Sequence, residues 1–158
     1  MSDCDMEIWK RPEIVAHTQR LLNSHRRWVG RELIARDGSA EEQSRALYEA
    51  PFVVVSDGLE ESPIFNYGNL TAQKLFETDW ANFTRIPSRQ SAEVVHQAER
   101  ERLRDEVTQN GFIDNYRGIR ISTSGKRFWI EQAIVWVVVD EAQTPIGKAA
   151  TFGTWTFL

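Results

Sequence analysis

Few residues of this 158-residue chain have a chemistry that goes beyond packing. His17, His25 and His96 include no i, i+4 pair and have no carboxylate motif beside them, which argues against a metal site. Cys4 is the only cysteine, so neither an internal disulfide nor a thiolate cluster is available. The chain has no GxSxG turn, no Walker loop and no GxGxxG loop. Glu41-Glu42 and Glu60-Glu61 are adjacent carboxylates of the kind that sit solvated on a helix tip or a loop. Arg26, Arg27, Arg31 and Arg36 form a basic cluster, but Glu32 and Asp37 interrupt it, as on the wet face of a helix. His25 falls between Leu21, Leu22 and Trp28, Val29, on an apolar face. There it reads as a hydrogen-bonded seam residue, with pH sensitivity as a minor role. His96 lies beside the stripe Val95, Ala98, Leu103 and Val107, not on it, and reads as a surface residue. Asp114 and Glu131 remain as carboxylates that an acid–base enzyme would use.

Composition sets the frame. Hydrophobic residues make up 41% and charged residues 27%, a globular balance large enough for one core. A net charge of −4 argues against a general nucleic-acid binder. No apolar run approaches the roughly 20 residues of a membrane helix. The acidic start MSDCDMEIWK does not resemble a signal peptide, so a cytoplasmic location is expected.

Apolar residues at Ile14, Val15, Leu21, Leu22, Trp28, Val29, Leu33 and Ile34 predict a helix from Pro12 to Ala35. Ser39 with Glu42 is a capping box for a second helix that stops before Pro51. Strands are predicted at 52–56 and 64–67. Short helices follow, capped by Asn69 or Thr71 and by Asp79, and then a longer helix from Ala92 to Gln109 capped by Ser91. Strands at 112–122, 127–139 and 148–157 close the chain. The order predicts an α+β fold with an antiparallel sheet built from both ends of the chain.

Three stretches carry a resemblance: PIFNYGNLTAQKLFETDW, GIRISTSGKRFWIEQAIVWVVVD and the ending GTWTFL. They resemble the MEKHLA domain, a PAS-like family, over roughly residues 60 to 158. Gly118, Ile119, Ser124, Gly125, Arg127, Glu131, Ala133 and Trp136 sit at the family's spacing. The resemblance implies a PAS-like five-stranded antiparallel sheet with short helices on one face. The N-terminal helices pack on the other face or at a dimer interface. It divides the chain into a helical cap or dimerisation segment, 1–50, and the PAS-like domain, 51–158. It implies a non-enzymatic sensor or regulatory module, and it supplies no agreed ligand and no catalytic residues.

The same resemblance bears on cofactors. PAS photoreceptors of the LOV type need a cysteine on a helix and amides on the sheet. Residues 71–109 hold no cysteine, and Arg120, Ile130 and Trp155 stand where the amides would fall. Haem would need a ligand such as His96. Both cofactors are disfavoured, and the cofactor is left open.

Strict alternation along 127–139 places Phe128, Ile130, Gln132, Ile134, Trp136 and Val138 on one face. The PAS resemblance turns that face inward, against the short helices. Tyr116 and Arg120 join it unless the register slips by one. Asn69, Tyr116, Arg120, Phe128, Gln132 and Trp136 would then line an interior for a small apolar ligand with a polar end. A core filled by side chains is the alternative. Val135, Val137 and Val139 would face outward, covered by Ile14, Leu21 and Trp28 or by a second subunit. A homodimer, a separate signalling partner and a small-molecule ligand are the expected partners, without nucleic acid or membrane. The competing reading is a small NTF2-like enzyme, an isomerase or hydrolase using Asp114 and Glu131 as acid and base.

Overall fold

Pro12 starts helix α1, Pro12–Val29, where its missing N–H costs nothing. The computed structural model describes residues 7–92 and 97–158. Helix α1 stops short of the expected Ala35 because Gly30 takes a left-handed φ of 85°. Its N–H closes on Arg26 O at 3.0 Å. The chain then folds back, so Leu33 and Ile34 still pack against the core, from a loop rather than a helix. Helix α2, Ala40–Tyr48, begins at the expected capping box. Glu42 N donates to Ser39 Oγ at 3.1 Å, and Ser39 N donates to Glu42 Oε1 at 3.0 Å.

Strands β1, Val53–Asp57, and β2, Phe65–Gly68, each lie one residue along from their expected ranges. Asn69 caps helix α3, Leu70–Leu75, and Asp79 caps helix α4, Trp80–Phe83. Ser91 does not cap the next helix. It ends a 3-10 turn, Ser88–Ser91, and its hydroxyl donates to Ser88 O at 2.7 Å. Ala92 is extended and bridges to Arg120. Helix α5 is described over Gln97–Asn110, and His96 lies outside the described residues.

Strand β3, Phe112–Ile121, and strand β4, Arg127–Val139, follow as expected. The final segment forms two strands, β5 at Pro145–Phe152 and β6 at Trp155–Phe157, broken at Gly153-Thr154. The sheet is antiparallel with order β2-β1-β5-β4-β3, and β6 pairs with the start of β4. β5 and β6 share one edge of β4, so the six strands make five rows.

Two bulges govern this sheet. Tyr116 pairs with Ala133 and Gly118 with Ile130, so β4 carries one extra residue between them. Gln132 absorbs it with a φ of 54°, a conformation usually left to glycine. On β3, Ile113 pairs with Val135, so β3 carries an extra residue between Ile113 and Tyr116. The two insertions cancel, and pairing regains its original register on either side.

The bulge at Gln132 overturns the alternation expected along β4. Phe128 and Ile130 face the short helices, as expected. Beyond the bulge, Ala133, Val135, Val137 and Val139 continue that inner face and meet Leu103 and Val107 of α5. Trp136 and Val138 are turned to the opposite face, where they pack with Ile14, Leu21 and Leu22 of α1. Helix α1 therefore meets Trp136 and Val138, not the expected Val135 and Val137. Backbone bonds fasten it there. Trp136 Nε1 donates to Leu21 O at 3.2 Å, and Ser24 Oγ accepts from Val139 N at 2.9 Å.

Trp28 is the exception among the α1 residues, because it reaches around the end of the sheet. Its Nε1 donates to Val137 O at 3.0 Å, and it packs against both the α1 and the α5 clusters. Gly111, with a φ of 88°, allows this: a Cβ there would lie 2.2 Å from the Trp28 ring.

Candidate functional site

The inner face of the sheet has two covers. Helices α3 and α4 contribute Ala72, Leu75, Phe76 and Phe83, and α5 contributes Leu103 and Val107. A cavity of about 80 Å³ lies where the covers meet. Phe65 and Phe76 wall one side, Leu103 and Val135 the other, and Ile130, Ala133, Ala150 and Phe152 contribute from the sheet. The volume has a simple origin. Ala133 and Ala150 are small residues at mid-strand positions, where neighbouring strands carry Val, Ile or Phe.

The polar groups of the cavity stand at opposite ends of the sheet. Tyr116 and Arg120 line it from β3, an edge strand. Arg120 Nη2 donates to the Tyr116 hydroxyl at 3.1 Å, and its guanidinium lies 5.2 Å from the Tyr116 ring centre. Its Nη1 donates to Ile119 O at 3.3 Å. Asp57 and Lys148 line the cavity from β1 and β5, where they are cross-strand partners. Asp57 Oδ2 accepts from Ser88 Oγ at 2.7 Å.

Of the residues expected to line the interior, Tyr116 and Arg120 meet at the cavity. Phe128 is fully buried beside it, in the cluster with Phe76. Asn69 does structural work instead. Its Oδ1 accepts from Val54 N and Ala72 N, both at 3.1 Å, and its Nδ2 donates to Leu47 O at 3.1 Å and Phe52 O at 2.8 Å. Gln132 is exposed at the bulge and Trp136 is buried against α1, so neither reaches the cavity. Alternation along β4 puts Ala133 and Val135 on the outer face, whereas both line the cavity, together with Ala150 of β5. One signal was present: Glu131-Gln132 and Asp114-Asn115 are adjacent polar pairs within strands, and each falls at a bulge. Asp114 and Glu131 are both exposed, and Glu131 accepts from Trp129 Nε1 at 2.8 Å. Neither lines the cavity or touches either described histidine.

The two described histidines belong to α1. His25 Nδ1 donates to Arg31 O at 2.9 Å, and its ring stands edge-on to Trp136 at 5.0 Å. Its Nε2 is buried with no hydrogen-bond partner, and burial lowers its pKa. His17 Nε2 lies 2.9 Å from Ser56 Oγ. The Ser56 hydroxyl donates to Asn66 Oδ1 at 2.5 Å, so it accepts from His17. That direction of proton donation is the wrong one for a histidine activating a serine. Burial, with Arg20 adding to it, lowers the His17 pKa to about 4. Among the described residues no group of three or more His, Cys, Asp or Glu is placed to hold a metal. Among the same residues no helix is long and apolar enough to cross a membrane.

This architecture recurs among solved structures as the PAS fold. The PAS domain of a protein from Colwellia psychrerythraea superposes with a TM-score of 0.62 at 13% identity, over 75% of this chain and 95% of that one. An RNA-binding light-oxygen-voltage receptor gives 0.63 at 14% identity, over 77% of this chain and 35% of that one. The PAS domain of a LuxR-family transcriptional regulator from Burkholderia thailandensis, solved in complex with ethanol, gives 0.53 at 16% identity, over 72% and 94%.

The MEKHLA domain family matches residues 15–157, and the chain belongs to that family. The match takes in α1 and α2 as well as the sheet. Among curated proteins, the homeobox-leucine zipper protein HOX32 of Oryza sativa subsp. japonica is 24% identical over 151 residues, 93% of this chain. HOX33 of Oryza sativa subsp. indica is 26% identical over 144 residues, 83% of this chain. The chain spans only 17% and 16% of their lengths.

Proposed function

We propose that this MEKHLA domain is a non-enzymatic sensory module that holds a small apolar ligand with a polar end. The observation that carries this reading is the cavity on the inner face of the sheet, apolar in its walls and edged by Tyr116 and Arg120. Its 80 Å³ is modest. At about 30 Å³ for each water-sized unit, it admits a body of roughly three heavy atoms. The ethanol complex of the Burkholderia thailandensis PAS domain is a ligand of that scale. A signal would leave through a separate protein. Because α1 spends its apolar stripe on its own sheet, a homodimer of this chain would be built on other surfaces.

Native mass spectrometry of the full chain, purified from its own host, tests the cavity and the oligomeric state together. Ala150→Leu is the control, since the added side chain occupies the cavity. A small-molecule adduct on the wild type that disappears in Ala150→Leu supports the proposal. Identical spectra from the two proteins count against it.

A further inference from the structure

The chemical class of the ligand follows from Arg120, a charged group of this site whose donors are only partly used among the described residues. Arg120 is half-buried at the β3 end of the cavity. A guanidinium has five N–H donors in a fixed fork. Two are committed, to the Tyr116 hydroxyl and to Ile119 O. No carboxylate among the described residues pairs with Arg120. Three donors therefore remain, and the fork geometry that suits a carboxylate is still open. Tyr116 holds the guanidinium in place by both a hydrogen bond and its ring face.

The opposite end of the cavity fixes the direction of the ligand. Asp57 lies on β1, three strand spacings from β3 in the sheet order, or about 14 Å across the sheet. Its carboxylate would repel an anion, and Lys148 stands directly across from it on β5. Among the described residues the β1 end thus carries both signs of charge, while the β3 end carries a cation alone. Between them the floor is Ile130, Ala133 and Ala150. An anion has one favourable end, and its apolar part has the floor.

We propose that the ligand is a short aliphatic monocarboxylate, its carboxylate on the Arg120 fork at the half-buried rim and its chain of about three carbons, the three heavy atoms that the volume admits, over Ala133 and Ala150. This rests on the reading of the cavity as a ligand site. A carboxylate accepts two parallel bonds from the guanidinium fork where an alcohol accepts one, and one bond to a charged group is worth about tenfold or more, so the carboxylate should bind at least about tenfold tighter than the matching alcohol.

The test is an NMR titration of the full chain with butyrate and, separately, with 1-butanol, following the methyls of Ala133 and Ala150. Wild type is compared with Arg120→Gln and with Arg120→Lys, each checked for an unchanged melting temperature. The expected result is a butyrate response at no more than a tenth of the butanol concentration. Arg120→Gln should erase that advantage without weakening butanol, and Arg120→Lys should restore part of it. Equal binding of the two probes, or butyrate binding that survives Arg120→Gln unchanged, overturns the carboxylate assignment and leaves the cavity reading standing. If neither probe moves either methyl, the cavity reading itself falls.

Discussion

Deleting Gln132 asks whether it is the single inserted residue around which the two faces of β4 are built. In the native sheet the left-handed bulge lets Phe128 and Ile130 face the short helices while Trp136 and Val138 face α1. An unbroken strand of the full sequence would put these two pairs on the same side, but deleting Gln132 removes the one inserted residue, so strict alternation returns each pair to its native face. The burial of Trp136, worth about 3–5 kcal/mol, that of Val138, worth about 1.5–3 kcal/mol, and the bond from Trp136 Nε1 to Leu21 O are all kept. Their loss would be comparable to the lower end of the roughly 5–15 kcal/mol that holds a whole domain together. The deletion should therefore keep a cooperative urea transition at 25 °C, within about 2 kcal/mol of the wild type. Point changes at the same position separate conformation from register. Gln132→Gly relieves about 1–2 kcal/mol of left-handed strain and gives back about 0.5–1 kcal/mol in unfolded-chain entropy. It should raise stability slightly. Gln132→Val should lower it by about 1 kcal/mol or more, because a β-branched residue resists positive φ. Tryptophan fluorescence during urea unfolding reads all three proteins. A deletion variant without a cooperative transition, or Val more stable than Gly, would refute the bulge as the origin of the face switch.

Three further outcomes are expected. Asn69→Ala should cost about 3 kcal/mol in urea melts, since it removes the α3 cap and strands a buried β1 N–H, while ligand binding at the cavity is unchanged. Stability should decline on acidification through His17. Between pH 6.5 and about 4 the unfolded chain binds a proton there that the folded chain refuses, so the contribution is complete above pH 6.5 and is lost by about pH 4. The loss is up to about 3 kcal/mol, and His17→Gln should flatten that part of the pH profile; an unchanged profile would contradict the burial of His17. Removing residues 1–50 should expose Trp136, Val138 and Tyr67 and cause aggregation, and a soluble, monodisperse truncation by size-exclusion chromatography would show that the cap is dispensable.

Several features of the fold rest on signals a few residues long. The Ser39–Glu42 box, the Asn69 and Asp79 caps and the span of β4 each depend on a few neighbouring residues, and each is found. The end of α1 was harder. Leu33 and Ile34 continue the helical spacing, but Gly30 terminates the helix and a loop delivers both residues to the same core. Ser91 has the side chain of a cap, yet the backbone at Ala92 is drawn into a bridge with Arg120, a contact remote in sequence.

The sequence by itself determined the order of the elements and the family. These follow from periodicity, capping and motif spacing, all read along one chain. Only the tertiary structure decided which way the second half of β4 faces. Alternation is a rule about an unbroken strand, and a bulge resets it by one residue. Whether Glu131-Gln132 is two surface residues or a bulge depends on the pairing of β3 opposite. That pairing turned Trp136 and Gln132 away from the interior and left Ala133 and Ala150 beneath a cavity that only assembled strands enclose.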